Sequence, residues 1–215
     1  MTAKHVVLWR HGQTAHNLEA RIQGSLDVPL DATGQAQVEA GAAALARLEP
    51  AALWSSDLLR ASASAAALGR LTGLPVRRDA RLRERDFGLW EGVAVAEIAQ
   101  RWPAEFKRWR SGQDVPEIGM ETRDRAAARM VACVEDAAGA APDGSTVVLA
   151  SHGGAVVCGI TALLGLDPVG WLGLRVMRNA HWAVLEHGGP RRAAWRLSGY
   201  DLGQAEGRPG INPGG

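Results

Sequence analysis

Short apolar runs alternate with longer alanine-rich stretches through most of this chain, and that alternation constrains its fold more than any other feature. The apolar runs predict strands at residues 6–9, 52–55, 146–150, 183–186 and 194–197, and a further strand that begins at 76. The stretches between them predict helices at 31–48, 57–71 and 123–138, and one from the turn at 151–154 to about 164. Helices of about 10–15 residues between short strands are typical of a parallel sheet covered on both faces. We therefore predict a three-layer α/β/α fold with a mostly parallel central sheet.

Two of the predicted helices begin with side chains that are suited to capping. Asp31 or Thr33 is a natural N-cap for the first long helix, and Asp57 is predicted to cap the helix after the second strand. An oxygen at this position accepts a hydrogen bond from an N–H of the first turn that has no partner within the helix.

The domain is predicted to span residues 1–204, because 215 residues suffice for one domain with a full core. Residues 85–121 differ from the rest, since they are rich in Trp, Pro and Gly, and we interpret them as a lid or insert. Within them Trp102, Phe106 and Trp109 share one helical face, which either packs against the core or forms a wall over a pocket. Residues 205–215 are rich in Gly and Pro and are predicted to be a disordered tail.

The charge balance argues against partners that need a strong global field. The formal net charge is +1, so neither a nucleic acid nor a membrane surface is expected as a partner. Lys4 and Lys107 are the only lysines in the sequence, so arginine supplies almost all the positive charge. Arginine suits bidentate contacts to phosphate, although a GC-rich genome also explains its abundance.

The cysteines and the apolar runs bear on the compartment. Cys133 and Cys158 lie far apart in apolar stretches and match no metal or redox spacing. They are predicted to be small core residues, which suits a reducing compartment. No run of eighteen apolar residues occurs and no signal region precedes residue 4, so we expect a cytoplasmic protein.

A histidine follows the first predicted strand, in residues 8–14, LWRHGQT. Ligands bind at the carboxyl ends of strands in open α/β sheets, and this segment begins there. A neutral imidazole attacks phosphorus when one nitrogen is free and the other is fixed by a hydrogen bond. Arg10 can hold phosphoryl oxygens, and Gly12 would let backbone N–H groups approach them. His11 is thus a candidate nucleophile, although a histidine in a loop is more often structural.

The same layout of strand, His-Gly and helix recurs in residues 148–154, VLASHGG, which places His152 at the end of a second strand. Two such histidines can meet in one pocket. Residues 55–61, SSDLLRA, form a third junction of strand and helix with Arg60, and a helix N-terminus beside an arginine is a ready anion site. Residues 83–92, RERDFGLWEG, add a charged segment after the third strand.

These four motifs occur in the order found in the histidine phosphatase (phosphoglycerate-mutase-like) superfamily, which the chain resembles over about residues 4–200. The resemblance is strongest to the branch of small phosphatases, to which Asn17 and residues 21–24, RIQG, also conform. It implies a metal-independent phosphomonoesterase that acts on a small phosphorylated metabolite, either a sugar phosphate or a phosphoglycerate derivative. It also implies the phosphoglycerate-mutase-like form of the α/β fold.

The resemblance implies a role for each matching residue. His11 would be the nucleophile that becomes phosphohistidine, and Arg10, Arg60 and His152 would surround the phosphoryl group. Glu84 would be the general acid for the leaving oxygen and then the base for water. The residues implied in substrate binding are Asn17, Gln23 and Gly153. No metal and no cofactor is implied, and the expected partner is a small phosphomonoester, with a homodimer left open.

The sequence departs from the family pattern at two places. Met120 stands in residues 119–122, GMET, where the family often shows GGES, although Glu121 keeps its register. His181 stands where a small hydroxyl residue is common, and we interpret it as structural, with a supporting contact to the site as the alternative. Two other functions stay open: a cofactor-dependent phosphoglycerate mutase, which usually has an insertion between the acid and the second histidine, and a non-catalytic phospholigand-binding protein.

Overall fold

The computed structural model describes residues 2–188 and 194–203. The tail predicted at 205–215 lies outside the described residues. Among the described helices, none is both long and apolar enough to cross a membrane.

A six-stranded mixed sheet forms the centre of the protein, in the order β3-β2-β4-β1-β5-β6. The strands are β1 (His5–Arg10), β2 (Ala52–Ser55), β3 (Val76–Arg78), β4 (Thr146–Ser151), β5 (Trp182–His187) and β6 (Trp195–Leu202). The first four are parallel to one another, whereas β5 runs antiparallel to β1 and to β6. The predicted, mostly parallel sheet is therefore confirmed.

Seven α-helices connect or flank these strands in the described residues. They are α1 (Ala15–Leu18), α2 (Ala32–Ala46), α3 (Leu59–Thr72), α4 (Val95–Arg101), α5 (Pro103–Arg110), α6 (Arg123–Gly139) and α7 (Gly153–Leu163). Short 3₁₀ turns lie at Ala80–Leu82, Gly88–Trp90 and Pro116–Ile118.

Alternation along β1 and β4 explains the three layers, because successive side chains of a strand point to opposite faces. Val6 and Leu8 belong to a core that includes residues of α6 and α7. Val7 and Trp9 face the other way, into a core that includes residues of α2 and α3. All four of these side chains are fully buried, so both faces of the sheet are covered.

Residues 85–121 fold into short helices and turns around a separate apolar cluster that includes Phe87 and the fully buried Trp90. Trp102, Phe106 and Trp109 pack against this cluster, whereas the first interpretation expected them to pack against the main core. They do not share one helix, because Pro103 begins α5 and Trp102 lies at the break. Trp109 also lines a cavity beside α7, so the segment forms a wall as well.

One predicted cap is confirmed and the other is wrong. The Asp31 side chain accepts a hydrogen bond from the Gly34 N–H at 2.7 Å, and α2 begins directly after it. The N-cap of α3 is Leu58, with no capping side chain, whereas Asp57 forms an ion pair with Arg83 at 2.6 Å. A tertiary arginine partner therefore replaces the local cap that the sequence suggested.

Candidate active site

The two histidine motifs meet at the carboxyl edge of the sheet because β1 and β4 are parallel neighbours. Arg10 is paired with Ser151 at the end of the ladder, and the next residue of each strand is His11 or His152. Their ring centroids are 5.1 Å apart, and both residues are almost fully buried. The register of a single strand pair therefore places both predicted histidines in one site.

His11 is held as a neutral imidazole with one free nitrogen. Its Nδ1 lies 2.7 Å from the Gly12 carbonyl oxygen, which can only accept, so Nδ1 carries the proton. Nε2 makes no hydrogen bond within the described part of the chain and keeps its lone pair. Burial, with Arg60 and Arg10 nearby, lowers the pKa of His11 well below its ordinary value of 6.5. A neutral imidazole of this tautomer is the form that a nucleophile requires.

His152 has the opposite tautomer, and Arg60 is the cause. The Arg60 Nε–H donates to His152 Nδ1 at 3.1 Å, which leaves the ring proton on Nε2. Burial is again the main reason that the pKa of His152 lies well below 6.5, followed by Arg60 and His11. His152 is thus a neutral donor through Nε2.

Arg60 is fully buried and is fixed by main-chain groups as well as by His152. Its terminal nitrogens donate to the carbonyl oxygens of Leu26 at 2.6 Å and of Gly24 at 2.8 Å. Burial lowers the pKa of Arg60 to about 10, so the guanidinium stays charged at neutral pH. Three of its five N–H bonds are used in this way, and two remain for a ligand.

Two donors in the site are buried and have no acceptor among the described residues: Arg10 Nε and His152 Nε2. Arg10 is fixed by one terminal nitrogen, which donates to the Met177 carbonyl oxygen. Leaving a buried donor unpaired costs about 1–3 kcal/mol, more when it is charged. Both costs are removed when an oxygen-rich anion enters beside His11, and a phosphoryl group has this chemistry.

Glu84 is fixed at the N-terminus of α7. Its Oε1 accepts from the N–H of Arg85 at 2.9 Å and of Ala155 at 2.7 Å, and its Oε2 accepts from the N–H of Gly154 at 2.9 Å. Three main-chain N–H donors therefore fix the orientation of this carboxyl group. Glu84 also acts electrostatically on both Arg10 and Arg60, so the predicted acid shares the site with the predicted phosphoryl ligands.

Arg129 supports the Glu84 segment, although no motif in the sequence indicated this residue. Its guanidinium donates to the carbonyl oxygens of Arg81 at 2.8 Å, Arg83 at 2.6 Å and Glu84 at 3.1 Å. Its Nε and Nη2 each lie 2.8 Å from the Glu121 carboxylate. Glu121, which keeps the register of the family pattern, thus orients the arginine that holds the Glu84 segment.

Asn17 and Gln23 lie in a polar network beside His11. Asn17 Oδ1 accepts from the Thr14 N–H at 3.2 Å and from Asn179 Nδ2 at 3.1 Å, and Asn179 also donates to the His11 carbonyl oxygen at 3.1 Å. Gln23 Oε1 accepts from the Thr14 hydroxyl at 3.0 Å. Asn179 is a site residue that sequence reasoning missed, because the late loop carries no strand-and-glycine signal.

Gly12 is required by packing against α2. The sequence had instead suggested that it lets backbone N–H groups approach phosphoryl oxygens. A Cβ at Gly12 would lie 2.5 Å from the Gly34 carbonyl oxygen, and its N–H donates to Ser64 Oγ at 3.3 Å. Gly153 does lie at the site, since a Cβ there would be 2.5 Å from Val176 and 3.3 Å from Arg10 Nε. The first glycine therefore serves the fold, and the second leaves space beside Arg10.

The N-terminus of α3 is not the open anion site that its sequence suggested. The Leu59 N–H donates to Asp27 Oδ1 at 2.6 Å, so a carboxylate of the protein already occupies that position. Of the third motif, Arg60 alone therefore reaches the histidines.

The two departures from the family pattern lie outside the core of the site. Met120 is buried and pairs with Phe87 in an isolated bridge, so the loop keeps its path with an apolar side chain. His181 Nδ1 lies 3.0 Å from the Asn179 carbonyl oxygen, and its buried Nε2 has no partner among the described residues.

Comparisons with known proteins agree on one family. A sequence profile described as "Histidine phosphatase superfamily (branch 1)" matches residues 6–199. Glucosyl-3-phosphoglycerate phosphatase of Mycobacterium tuberculosis is 38% identical over 209 residues, which cover 92% of this chain and 94% of that protein. The probable phosphoglycerate mutase GpmB of Salmonella paratyphi C is 31% identical over 201 residues, which cover 91% of this chain and 89% of that protein.

A solved structure agrees with these relatives. The mycobacterial glucosyl-3-phosphoglycerate phosphatase in complex with VO3 superposes with a TM-score of 0.86 at 37% identity, covering 93% of this chain and 99% of that one. Sequence and fold therefore match over almost the whole length. The chain belongs to branch 1 of the histidine phosphatase superfamily and is a phosphoric monoester hydrolase.

Proposed function

We propose that this phosphatase hydrolyses glucosyl-3-phosphoglycerate through a phosphohistidine at His11, without a metal ion. The observation that carries the mechanism is the pair of buried, unpartnered donors, Arg10 Nε and His152 Nε2, beside a neutral His11. The names of the relatives support the substrate, and they also support the broader class of small phosphorylated metabolites.

The first step transfers the phosphoryl group to the protein. His11 Nε2 attacks phosphorus with its lone pair, and the bond from phosphorus to the ester oxygen breaks. The bonding electrons leave with that oxygen, which takes a proton from Glu84. The hydrogen bond from His11 Nδ1 to the Gly12 carbonyl oxygen stabilises the positive ring that results.

The second step hydrolyses the phosphohistidine. Water attacks phosphorus while the Glu84 carboxylate takes its proton, and the bond between phosphorus and nitrogen breaks. The electrons return to His11 Nε2, so the neutral imidazole is restored and inorganic phosphate leaves. Glu84 regains its proton from the water and is ready for the next substrate.

Arginines and a neutral imidazole supply the transition-state stabilisation in this scheme. Fixed donors surround the phosphoryl oxygens: Arg10, the two unused N–H bonds of Arg60, and His152 Nε2–H. Preformed donors in a buried site need no reorganisation during the reaction. This arrangement is the reason to expect activity that survives exhaustive EDTA treatment, and a chelator-sensitive enzyme restored by a divalent ion would contradict it.

A mutase remains the second candidate, because one relative is named a probable phosphoglycerate mutase. Against it, the segment from Glu84 to His152 is short and lacks the insertion usual in mutases. Incubation with 3-phosphoglycerate and 2,3-bisphosphoglycerate distinguishes the two, since a mutase forms 2-phosphoglycerate faster than free phosphate. The complete set of site residues likewise favours an enzyme over a phospholigand-binding protein.

The substrate is tested with a panel of glucosyl-3-phosphoglycerate, 3-phosphoglycerate, sugar phosphates and nucleotides. We expect the highest kcat/KM for glucosyl-3-phosphoglycerate. A better substrate elsewhere in the panel would refute the substrate and leave the phosphohistidine mechanism intact.

We also propose that the protein acts in the cytoplasm on a small molecule, without nucleic acid or membrane. Both cysteines are free and buried, which suits a reducing compartment. Size-exclusion chromatography with light scattering tests the homodimer that the sequence left open.

A further inference from the structure

A cavity of about 520 Å³ lies beside the start of α7, next to the acid of the proposed mechanism. Gly154, whose N–H donates to Glu84 at 2.9 Å, lines this cavity, and so does Val176, the neighbour of Gly153. Glu84 protonates the leaving oxygen in the proposed mechanism, so the rest of the leaving group extends away from that oxygen. The cavity is therefore placed to receive it, and its volume suits a small organic molecule.

The cavity wall is strongly basic. Among the described residues that line it none is acidic, and four are arginines: Arg85, Arg110, Arg123 and Arg175. Apolar side chains, including Phe87, Trp109 and Leu172, complete the wall. A ligand that fits this lining combines an anionic group with a carbon skeleton.

Two of these arginines, Arg110 and Arg175, are exposed, and of the other two only Arg123 lacks a close carboxylate partner for its guanidinium. Its side chain is only 17% exposed, and its guanidinium makes no hydrogen bond to the residues that the structure describes. The nearest carboxylate oxygen, Asp114 Oδ1, is 3.9 Å from Nε and already accepts from Arg85 at 2.6 Å. Burial, together with Arg85, lowers the pKa of Arg123.

The position of Arg123 in α6 adds a further cost to the free energy of the ligand-free protein. Arg123 is the first residue of that helix, where the helix dipole disfavours a cation. A largely buried cation beside another arginine, at the unfavourable end of a helix and with Asp114 as a distant partner, destabilises the ligand-free protein. An anion in the cavity would remove this cost.

A second cavity, of about 280 Å³ beside Glu84, does not have a basic wall of this kind. It is lined by Glu84, Asp86 and Glu121, and two of its arginines are already paired: Arg83 with Asp57 and Arg129 with Glu121. Three acidic residues therefore balance the three arginines of this cavity, Arg83, Arg125 and Arg129, so it offers an anionic leaving group no excess of positive charge.

We propose that Arg123 binds a carboxylate of the leaving group in the larger cavity, so that the enzyme selects phosphomonoesters that carry a second, carboxylate anion. The proposal rests on the proposed function, because the phosphoryl group must lie at His11 and the leaving oxygen at Glu84. A phosphoglycerate skeleton meets this requirement, since it joins a phosphoester to a carboxylate.

The test compares substrates that differ in the carboxylate. The kcat/KM ratio of 3-phosphoglycerate to glycerol 3-phosphate is measured for the wild type, Arg123→Met and Arg123→Lys. We expect the ratio to fall about 10- to 100-fold in Arg123→Met, the effect of losing one hydrogen-bonded charge, and to recover in part in Arg123→Lys. Arg125→Met is the matched control, because Arg125 is an exposed arginine of the same helix that lines the other cavity, and its ratio should stay within threefold of the wild type.

A binding measurement separates selectivity from turnover. The 3-phosphoglycerate molecule should inhibit p-nitrophenyl phosphate hydrolysis competitively, with an inhibition constant that rises about 10-fold or more in Arg123→Met. The melting temperature of that variant should not fall, since the substitution removes a disfavoured cation. A ratio and an inhibition constant that are both unchanged in Arg123→Met would overturn the proposal, as would a wild type without preference for the carboxylate.

Two outcomes separate this proposal from the proposed substrate. If the wild type does not hydrolyse glucosyl-3-phosphoglycerate, yet Arg123→Met abolishes a preference for 3-phosphoglycerate, the substrate is wrong and the carboxylate site stands. If the wild type hydrolyses glucosyl-3-phosphoglycerate and the ratio does not depend on Arg123, the carboxylate site is overturned alone. A dependence on Arg123 seen with fructose 1,6-bisphosphate and absent with 3-phosphoglycerate would assign a second phosphoryl group and overturn the carboxylate.

Discussion

His11 and His152 carry protons on opposite ring nitrogens, and that difference suits one to the proposed role of nucleophile and the other to the proposed role of donor. A main-chain carbonyl sets the first tautomer and Arg60 sets the second. The sequence indicated both histidines and Arg60, because each follows a strand in a recognisable motif. It could not indicate the tautomers, since the first depends on the backbone path at Gly12 and the second on a contact between residues 92 positions apart, Arg60 and His152.

The substitution Glu84→Gln should separate acid catalysis from substrate positioning. An alkoxide leaving group needs a proton during bond cleavage, whereas p-nitrophenolate leaves readily without one. The variant should form phosphohistidine slowly from alkyl phosphates and comparatively well from p-nitrophenyl phosphate. Its dephosphorylation should be slow with both, because the same carboxylate activates water.

The burst and the steady state, measured separately for both substrates, test this prediction. Equal defects in phosphoenzyme formation for good and poor leaving groups would show that Glu84 only positions the substrate.

Single elements show where local sequence signals are reliable and where tertiary contacts replace them. The bounds of β2 match the prediction, and Asp31 caps α2, because both depend on residues close in sequence. The α3 start differs, since Asp57 pairs with Arg83 and Asp27 accepts from the first turn. Nothing in residues 55–61 reveals those distant partners.

Gly154, at the start of α7, lies against the Glu84 carboxylate. A Cβ at Gly154 would lie 2.9 Å from Glu84 Oε1, so Gly154→Ala should displace the carboxylate from its three N–H donors. Alanine favours a helix over glycine by about 0.5–1 kcal/mol, so the fold should not be destabilised by the backbone. We expect kcat on an alkyl phosphate to fall about tenfold, without a lower melting temperature.

Gly139→Ala is the matched control for this variant, because Gly139 lies in α6 and a Cβ there has no neighbour within 4 Å. It should leave kcat near the wild-type value. Full activity in Gly154→Ala would mean that catalysis tolerates a displaced Glu84 carboxylate.

For the whole molecule, the sequence predicted the layers and the parallel core of the sheet, because each strand and helix carries its own periodicity. The strand order could not be predicted from the sequence, since the position of β4 between β1 and β2 depends on pairing across more than 90 residues. That order is also what brings His11 and His152 together. The cavity walls in residues 85–121 could not be predicted, because side-chain directions there follow irregular turns.

The buried histidines couple the site to the stability of the whole protein. Both pKa values lie below 6.5 in the folded state, so the unfolded chain binds more protons once the pH falls below that value. The free energy of unfolding should therefore be fully retained above pH 6.5 and fall below it, until each folded pKa is reached. The loss per histidine approaches about 1.4 kcal/mol per pH unit.

Urea unfolding at several pH values between 5 and 8 measures this effect. The double variant His11→Gln/His152→Gln should lose most of the pH dependence between pH 6.5 and 5. An equal slope in the variant and the wild type would show that the dependence does not come from these two histidines. The carboxylates of Asp57, Asp79 and Glu121 have lowered pKa values and act only at a more acidic pH.

The proposed mechanism requires that His11 becomes covalently phosphorylated during turnover. It is tested most directly by mixing the enzyme with a radiolabelled phosphomonoester, quenching in alkaline denaturant within the first turnover, and mapping the label to a peptide. We expect label on His11 that decays as phosphate forms, and neither label nor turnover in His11→Ala. Label on another residue, or turnover that persists in His11→Ala, would rule out His11 as the nucleophile.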